Sequence, residues 1–190
     1  RRPRRALLSL AIVLAACGSG ESALAPAPGA SAVQLSPAAA LGEKIFRDPG
    51  LSASGGQSCA TCHDPDNAHA PANTLAGQPG GALLDQQGGR QAPSIRYLDT
   101  NRAFRFDDEG TPTGGFFWDG RARSLQQQAG EPFLNPREMA NPGKAEVVAK
   151  LARASYEAEF RALYGNEIFT DTEGAFQRDN SKFRPQGGWR

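Results

Sequence analysis

A chain of 190 residues is enough for one domain with a real core, or one and a half small ones. Its 22 Gly and 14 Pro dilute the apolar residues and call for a loop-rich fold. The formal charge of +1 rests on four arginines in the first five residues. Without residues 1–16, Lys+Arg falls from 21 to 17 against 20 Asp+Glu, and a chain near −3 argues against nucleic acid or another polyanion as partner.

The opening "RRPRRALLSLAIVLAAC" sets a basic stretch before an apolar run, Ala6 to Ala16, that is too short to span a bilayer. It reads as an export signal. Its end, Leu14-Ala15-Ala16-Cys17 followed by Gly18, resembles the lipobox of bacterial lipoproteins. That resemblance implies a signal peptide over 1–16 and a lipid on Cys17 that anchors the protein to a bacterial membrane, facing the periplasm. An ordinary signal peptide with a chance cysteine is the alternative. Residues 17–35 are rich in Ala, Pro, Ser and Gly and read as a flexible tether.

Folded structure is expected from Ser36-Pro37, a helix cap followed by a first-turn proline. The run "SPAAALGEKIFRD" sets Leu41, Ile45 and Phe46 on one helical face, and Pro49-Gly50 ends it. The cysteine cluster at 59–63 should open into a short helix. Residues 64–115 carry dense Gly and Pro and few periodic runs, a length of irregular chain that suits a domain wrapped around a cofactor. "GRARSLQQQAG" (120–130) predicts a short helix, and "GKAEVVAKLARA" places Val147, Val148 and Leu151 at helical spacing. "SYEAEFRALYG" does the same for Tyr156, Phe160, Leu163 and Tyr164, with Gly165 as its cap. No strand alternation stands out. The expected fold is all-α with long irregular loops over 36–165, then an irregular or truncated tail over 166–190.

Cys59-Ala60-Thr61-Cys62-His63 is the C-x-x-C-H pattern of covalent c-type haem attachment. One turn of chain presents two thiols to the two vinyl groups of a haem, and the adjacent imidazole becomes the iron's proximal ligand. A zinc site would need a second ligand pair, and only Cys17 and His69 remain. A thioredoxin-like pair would need a βαβ context, and a plain disulfide leaves His63 idle. A haem with two protein ligands carries electrons, whereas one with an open face can meet peroxide. His69, six residues from His63, and Met139, the sole methionine, are the candidates for a sixth ligand.

The segments "LGEKIFRDPGLSASGGQSCATCHDP", "RQAPSIRYL" and "FFWDGRARSLQQQAGEPFLNPREMANP" resemble, in order and spacing, the N-terminal haem domain of bacterial di-haem cytochrome c peroxidases and MauG-like proteins. The resemblance runs from Leu41 to Gly165 and implies a cytochrome c-like haem domain over 36–165. It implies that Cys59 and Cys62 hold one haem with His63 as proximal ligand, and that Trp118 passes electrons from a second haem. It also implies that Gln128 and Glu138 act on the distal side, with Met139 as packing. Such a protein reduces hydrogen peroxide with electrons from a small cytochrome c or cupredoxin. Arg121 and Arg123 are candidates for pairing with haem propionates or carboxylates. Three departures stand out. The segment before Arg90 has no distal His, so an open iron closer to the MauG pattern is expected. Gln91 replaces an Asn of the family's calcium site, which puts calcium in doubt. A second C-x-x-C-H is missing, so the chain reads as truncated before the second haem domain. A monohaem electron carrier and MauG-like oxidation of a partner protein remain as alternative readings.

Overall fold

The computed structural model describes residues 34–173 and 176; the expected signal peptide, Cys17 and most of the tether lie outside them. Helix α1, Pro37–Arg47, begins as its sequence dictates: Ser36 Oγ accepts from Ala39 N at 3.2 Å, and Pro37 fills the first turn. It buries Leu41, Ile45 and Phe46. Asp48 then turns the chain by accepting from Gly50 N at 2.8 Å, and a short 3-10 turn follows at Pro49–Leu51. An 11-residue helix is marginal by itself, whereas each buried Leu, Ile or Phe contributes roughly 1.5–3 kcal/mol. Packing therefore holds α1 in place.

Helix α2 is the single turn Cys59–Cys62, with Ser58 and Thr61 closing a capping box at its start. The long segment to residue 124 has no α-helix. It holds two antiparallel ladders of two residues per strand: β1 (Pro79–Gly80) with β2 (Gln86–Gln87), and β3 (Arg105–Phe106) with β4 (Pro112–Thr113). These correct the all-α expectation. Strands this short leave no alternation in the sequence to read.

Helix α3 runs Leu125–Leu134, later than the 120–130 expected. Gly120 takes φ 70° and Phe116 bridges to Ala122, so the chain is still turning there. Ser124 Oγ then caps Gln127 N at 3.1 Å. Pro132 lies inside the helix and removes only the bond to the Gln128 carbonyl, one turn before the end. Helices α4 (Lys144–Leu151) and α5 (Glu157–Tyr164) follow as the periodicity predicts, and Gly165 ends α5 with φ 94°. Past it, Asn166–Thr170 forms a 3-10 turn, and Ile168 and Phe176 are buried.

The core joins Leu41 and Ile45 of α1 to Phe133 of α3, Val147, Val148 and Leu151 of α4, and Tyr156 and Phe160. A polar clamp crosses it. Buried Asn141 donates to the carbonyls of Leu51 (2.8 Å) and Phe133 (2.9 Å), and Lys150 Nζ donates to Asn141 Oδ1 and the Ser52 carbonyl, both at 2.7 Å. A second tie is the hydroxyl of Tyr156, 5 % exposed, which donates to Asp48 Oδ2 at 2.6 Å. Tyr156→Phe keeps the ring and loses a bond to a charged acceptor. It is expected to destabilise the domain by about 1.5–3 kcal/mol, read as a lower denaturant midpoint with unchanged slope. No helix among the described residues is long and apolar enough to cross a membrane.

Candidate haem site

Immediately after α2 the chain reverses. Asp64 N donates to the Ala70 carbonyl at 3.2 Å, and the turn closes through Ala68 and His69, both left-handed at φ 54° and 55°. The reversal brings the His69 carbonyl within 3.3 Å of His63 Nδ1. Residues 94–96 strap the turn down: Ser94 Oγ donates to the Ala68 carbonyl (2.6 Å), Ile95 N to the His69 carbonyl (3.3 Å) and Arg96 Nε to His69 Nδ1 (3.3 Å). The backbone carbonyl can only accept, so His63 carries its proton on Nδ1 and leaves the Nε2 lone pair for a metal. Burial pushes the His63 imidazole below its ordinary pKa, against the carbonyls of His69 and Pro93, which favours the neutral, ligating form.

A cavity of about 920 Å³ opens in front of this imidazole. Helix α3 supplies one wall, presenting Leu125, Gln128, Pro132 and Phe133 at the spacing of a single helical face. Phe46, Ile95 and Phe117 add apolar surface. The cavity brings Cys59, Cys62, His63, Trp118, Gln128 and Glu138 together, as well as His69, Gln91, Arg121 and Met139. Arg123 is left outside, its backbone N–H donating to Gln127 Oε1.

The fit to a covalently held haem can be tested on the donor set. Cys59 and Cys62 are not in a disulfide, and burial raises the Cys62 thiol pKa while the Gln57 amide, 3.6 Å from its sulfur, lowers it. Buried Gln57 also donates to the Pro79 carbonyl at 3.1 Å, and its Oε1 is left without a hydrogen-bond partner beside the cavity. Orphaned buried acceptors are rare in a finished interior. No three His, Cys, Asp or Glu side chains among the described residues converge as a metal-ion site. Two free thiols, one neutral imidazole and an apolar slot of cofactor size fit a c-type haem.

The distal groups come from α3 and the loop behind it. Glu138 is half-buried. Burial raises its pKa, and the Arg121 guanidinium and a 3.0 Å hydrogen bond from Asn135 Nδ2 lower it. Arg121 is engaged with Asp119 (2.9 Å) and Glu131 (3.0 Å) and stacks 3.7 Å over Phe117. Its partners in the chain are therefore carboxylates. Asp119, bonded by Arg90 and Arg121, is held down to about 2. Phe117 is left-handed at φ 63°, which turns Trp118 outward: the indole is 63 % exposed, with its N–H donating to the Gln91 carbonyl at 2.8 Å. Met139 is 4 % exposed and belongs to the core. Sequence reasoning missed Gln57, Arg96 and Asn135. Only Asn135 carried a signal, as the Asn-Pro turn that closes a helix.

A family model described as di-haem cytochrome c peroxidase matches residues 36–183. The methylamine utilization protein MauG of Paracoccus denitrificans is 44% identical over 174 residues, 90% of this chain and 43% of that protein. Cytochrome c peroxidase Ccp of Escherichia coli is 34% identical over 144 residues, 73% of this chain and 28% of that protein. The crystal structure of the diheme peroxidase BthA from Burkholderia thailandensis superposes with a TM-score of 0.72 at 34% identity, over 80% of this chain and 38% of that one. The chain thus spans less than half the length of these relatives. With Cys59, Cys62 and His63 set around one cavity and a match over residues 36–183, the chain belongs to the di-haem cytochrome c peroxidase family.

Proposed function

We propose that this chain is the peroxide-reacting haem domain of a di-haem oxidoreductase, exported and held at the periplasmic face of a membrane by a lipid on Cys17. Cys59 and Cys62 would hold the haem through thioethers, and His63 Nε2 would be its proximal ligand. The observation that carries the reading is the meeting of His63, Gln128 and Glu138 around one cavity, with burial raising the pKa of the Glu138 carboxyl.

Bound there, the haem supplies a redox-active iron able to break the O–O bond of peroxide. Two electrons and two protons turn peroxide into two waters. Glu138 takes a proton from the incoming peroxide oxygen and returns it to the departing one, while the Gln128 amide orients the molecule. Trp118, fixed by the Gln91 carbonyl, would be the stepping stone for electrons supplied by a second haem, with a small cytochrome c or cupredoxin as their source. MauG-like oxidation of a partner protein is the second reading, favoured by the 44% identity to the Paracoccus protein. The electron-carrier reading loses support on both of its ligands. Met139 is packed in the core, and His69 Nδ1 is engaged by Arg96 Nε.

The test is to express the chain in a host that attaches c-type haem and record its ferric spin state before and after adding peroxide. A high-spin spectrum that changes rapidly with peroxide is expected. A low-spin spectrum indifferent to peroxide would favour the electron carrier.

A further inference from the structure

We propose that Asn135 is a positioning residue that fixes which oxygen of Glu138 carries its proton, reserving Oε2 for the cavity. The inference rests on the reading of Glu138 as the proton-transfer group. Asn135 follows the last residue of α3, and its Oδ1 accepts from the Arg137 backbone N–H at 3.0 Å. A backbone N–H can only donate, so the amide orientation is determined and not free to flip. Nδ2 must then face the other way, and it donates to Glu138 Oε1 at 3.0 Å.

An amide NH₂ has no acceptor to offer. Oε1 therefore accepts in both states of the carboxyl, and because the carbonyl oxygen is the better acceptor, a proton taken up by Glu138 favours Oε2. Among the described residues no other hydrogen bond reaches the Glu138 side chain. The backbone is pinned as well: Glu138 N donates to the Asn135 carbonyl at 2.9 Å, and the Glu138 carbonyl accepts from Gly81 N at 2.7 Å. The charged and titratable groups facing the carboxyl are Arg121, from the turn before α3, Glu131 of α3 and Cys62 of α2. Asn135 is the neutral one, and its hydrogen bond favours the ionised form.

The experiment is an infrared pH titration of the haem-loaded protein carrying ¹³C-glutamate, with the Glu138 C=O band identified by its loss in Glu138→Gln. In Asn135→Ala the midpoint is expected to rise by roughly half to one pH unit, and the acid limb of the peroxide reaction to move with it. In the near-isosteric Asn135→Asp, a second carboxylate faces Oε1 and the midpoint is expected to rise by more than about one unit. Wild-type midpoints in both variants, with haem attachment and circular dichroism intact, would overturn the inference. If Asn135→Ala fails to fold, Asn135→Asp alone decides. The two readings separate cleanly. A Glu138→Gln protein that reacts at the wild-type rate removes the proton-transfer role. A Glu138-dependent rate with an immovable midpoint removes Asn135 alone.

Discussion

Glu138→Gln is expected to slow the reaction of the haem-loaded protein with peroxide by about 10²- to 10⁴-fold, the usual range for losing a positioned proton-transfer group, while haem attachment stays intact. Glutamine keeps the shape and still reaches Asn135, but it cannot take up a proton. The carboxyl is half-buried, and burial raises its pKa above the ordinary carboxylate range. Because the base form accepts the peroxide proton, the wild-type rate should fall as pH drops through that raised value. The variant should lose this acid limb. Stability runs the opposite way. A carboxyl whose folded pKa lies above its unfolded one binds protons more tightly in the native state. Its contribution is fully present below the unfolded pKa and is lost as pH rises through the folded one. The glutamine variant should therefore melt no lower than wild type near neutral pH. A slower and equally stable protein is the signature of a functional carboxylate. Equal peroxide rates in stopped flow would sink the role.

The parts of this fold that could be read from the sequence are those in which the signal is local. Ser36 and Pro37 start α1 because a cap and a first-turn proline act within one turn of chain. C-x-x-C-H identifies its cofactor because attachment needs two thiols and an imidazole on one short helix. The turn that orients the His63 imidazole was not legible. It depends on left-handed Ala68 and His69, of which the alanine gives no sign of that conformation, and on Arg96, twenty-seven residues beyond His69. Helix α3 starts later than its sequence suggests because the chain is still turning at Gly120 and Ala122, and it runs past Pro132 because one lost bond near a helix end is tolerated when Phe133 is buried beneath it. Trp118, Gln128 and Glu138 were found through family resemblance, since nothing in their spacing marks them. Their convergence is a tertiary fact, made by α3 and the segment that folds back from its end: Met139 N bonds the Pro132 carbonyl and Asn141 N the Phe133 carbonyl.

Gly80→Ala is expected to damage both stability and chemistry, although residue 80 carries no side chain. A Cβ there would run into the Arg137 carbonyl oxygen, and would sit 2.9 Å from both the Arg137 carbonyl carbon and the Glu138 Cα. These are backbone atoms, so no rotamer change relieves the contact. The neighbouring bond from Gly81 N to the Glu138 carbonyl, 2.7 Å, holds the two strands of chain at that separation. Either the β1–β2 hairpin or the Glu138 segment has to move. Overpacking of this kind destabilises by roughly 1–3 kcal/mol. Displacing a catalytic group by about 1 Å can lower a rate by about a hundredfold. Gly89→Ala, on the same loop but with open space around it, should do neither. The informative measurement is the peroxide rate well below the melting temperature, where every variant is folded. A Gly80→Ala protein that melts lower yet reacts at the wild-type rate would mean the hairpin yields and Glu138 stays. A slow rate at full folding would mean that the hairpin is what aims the carboxylate.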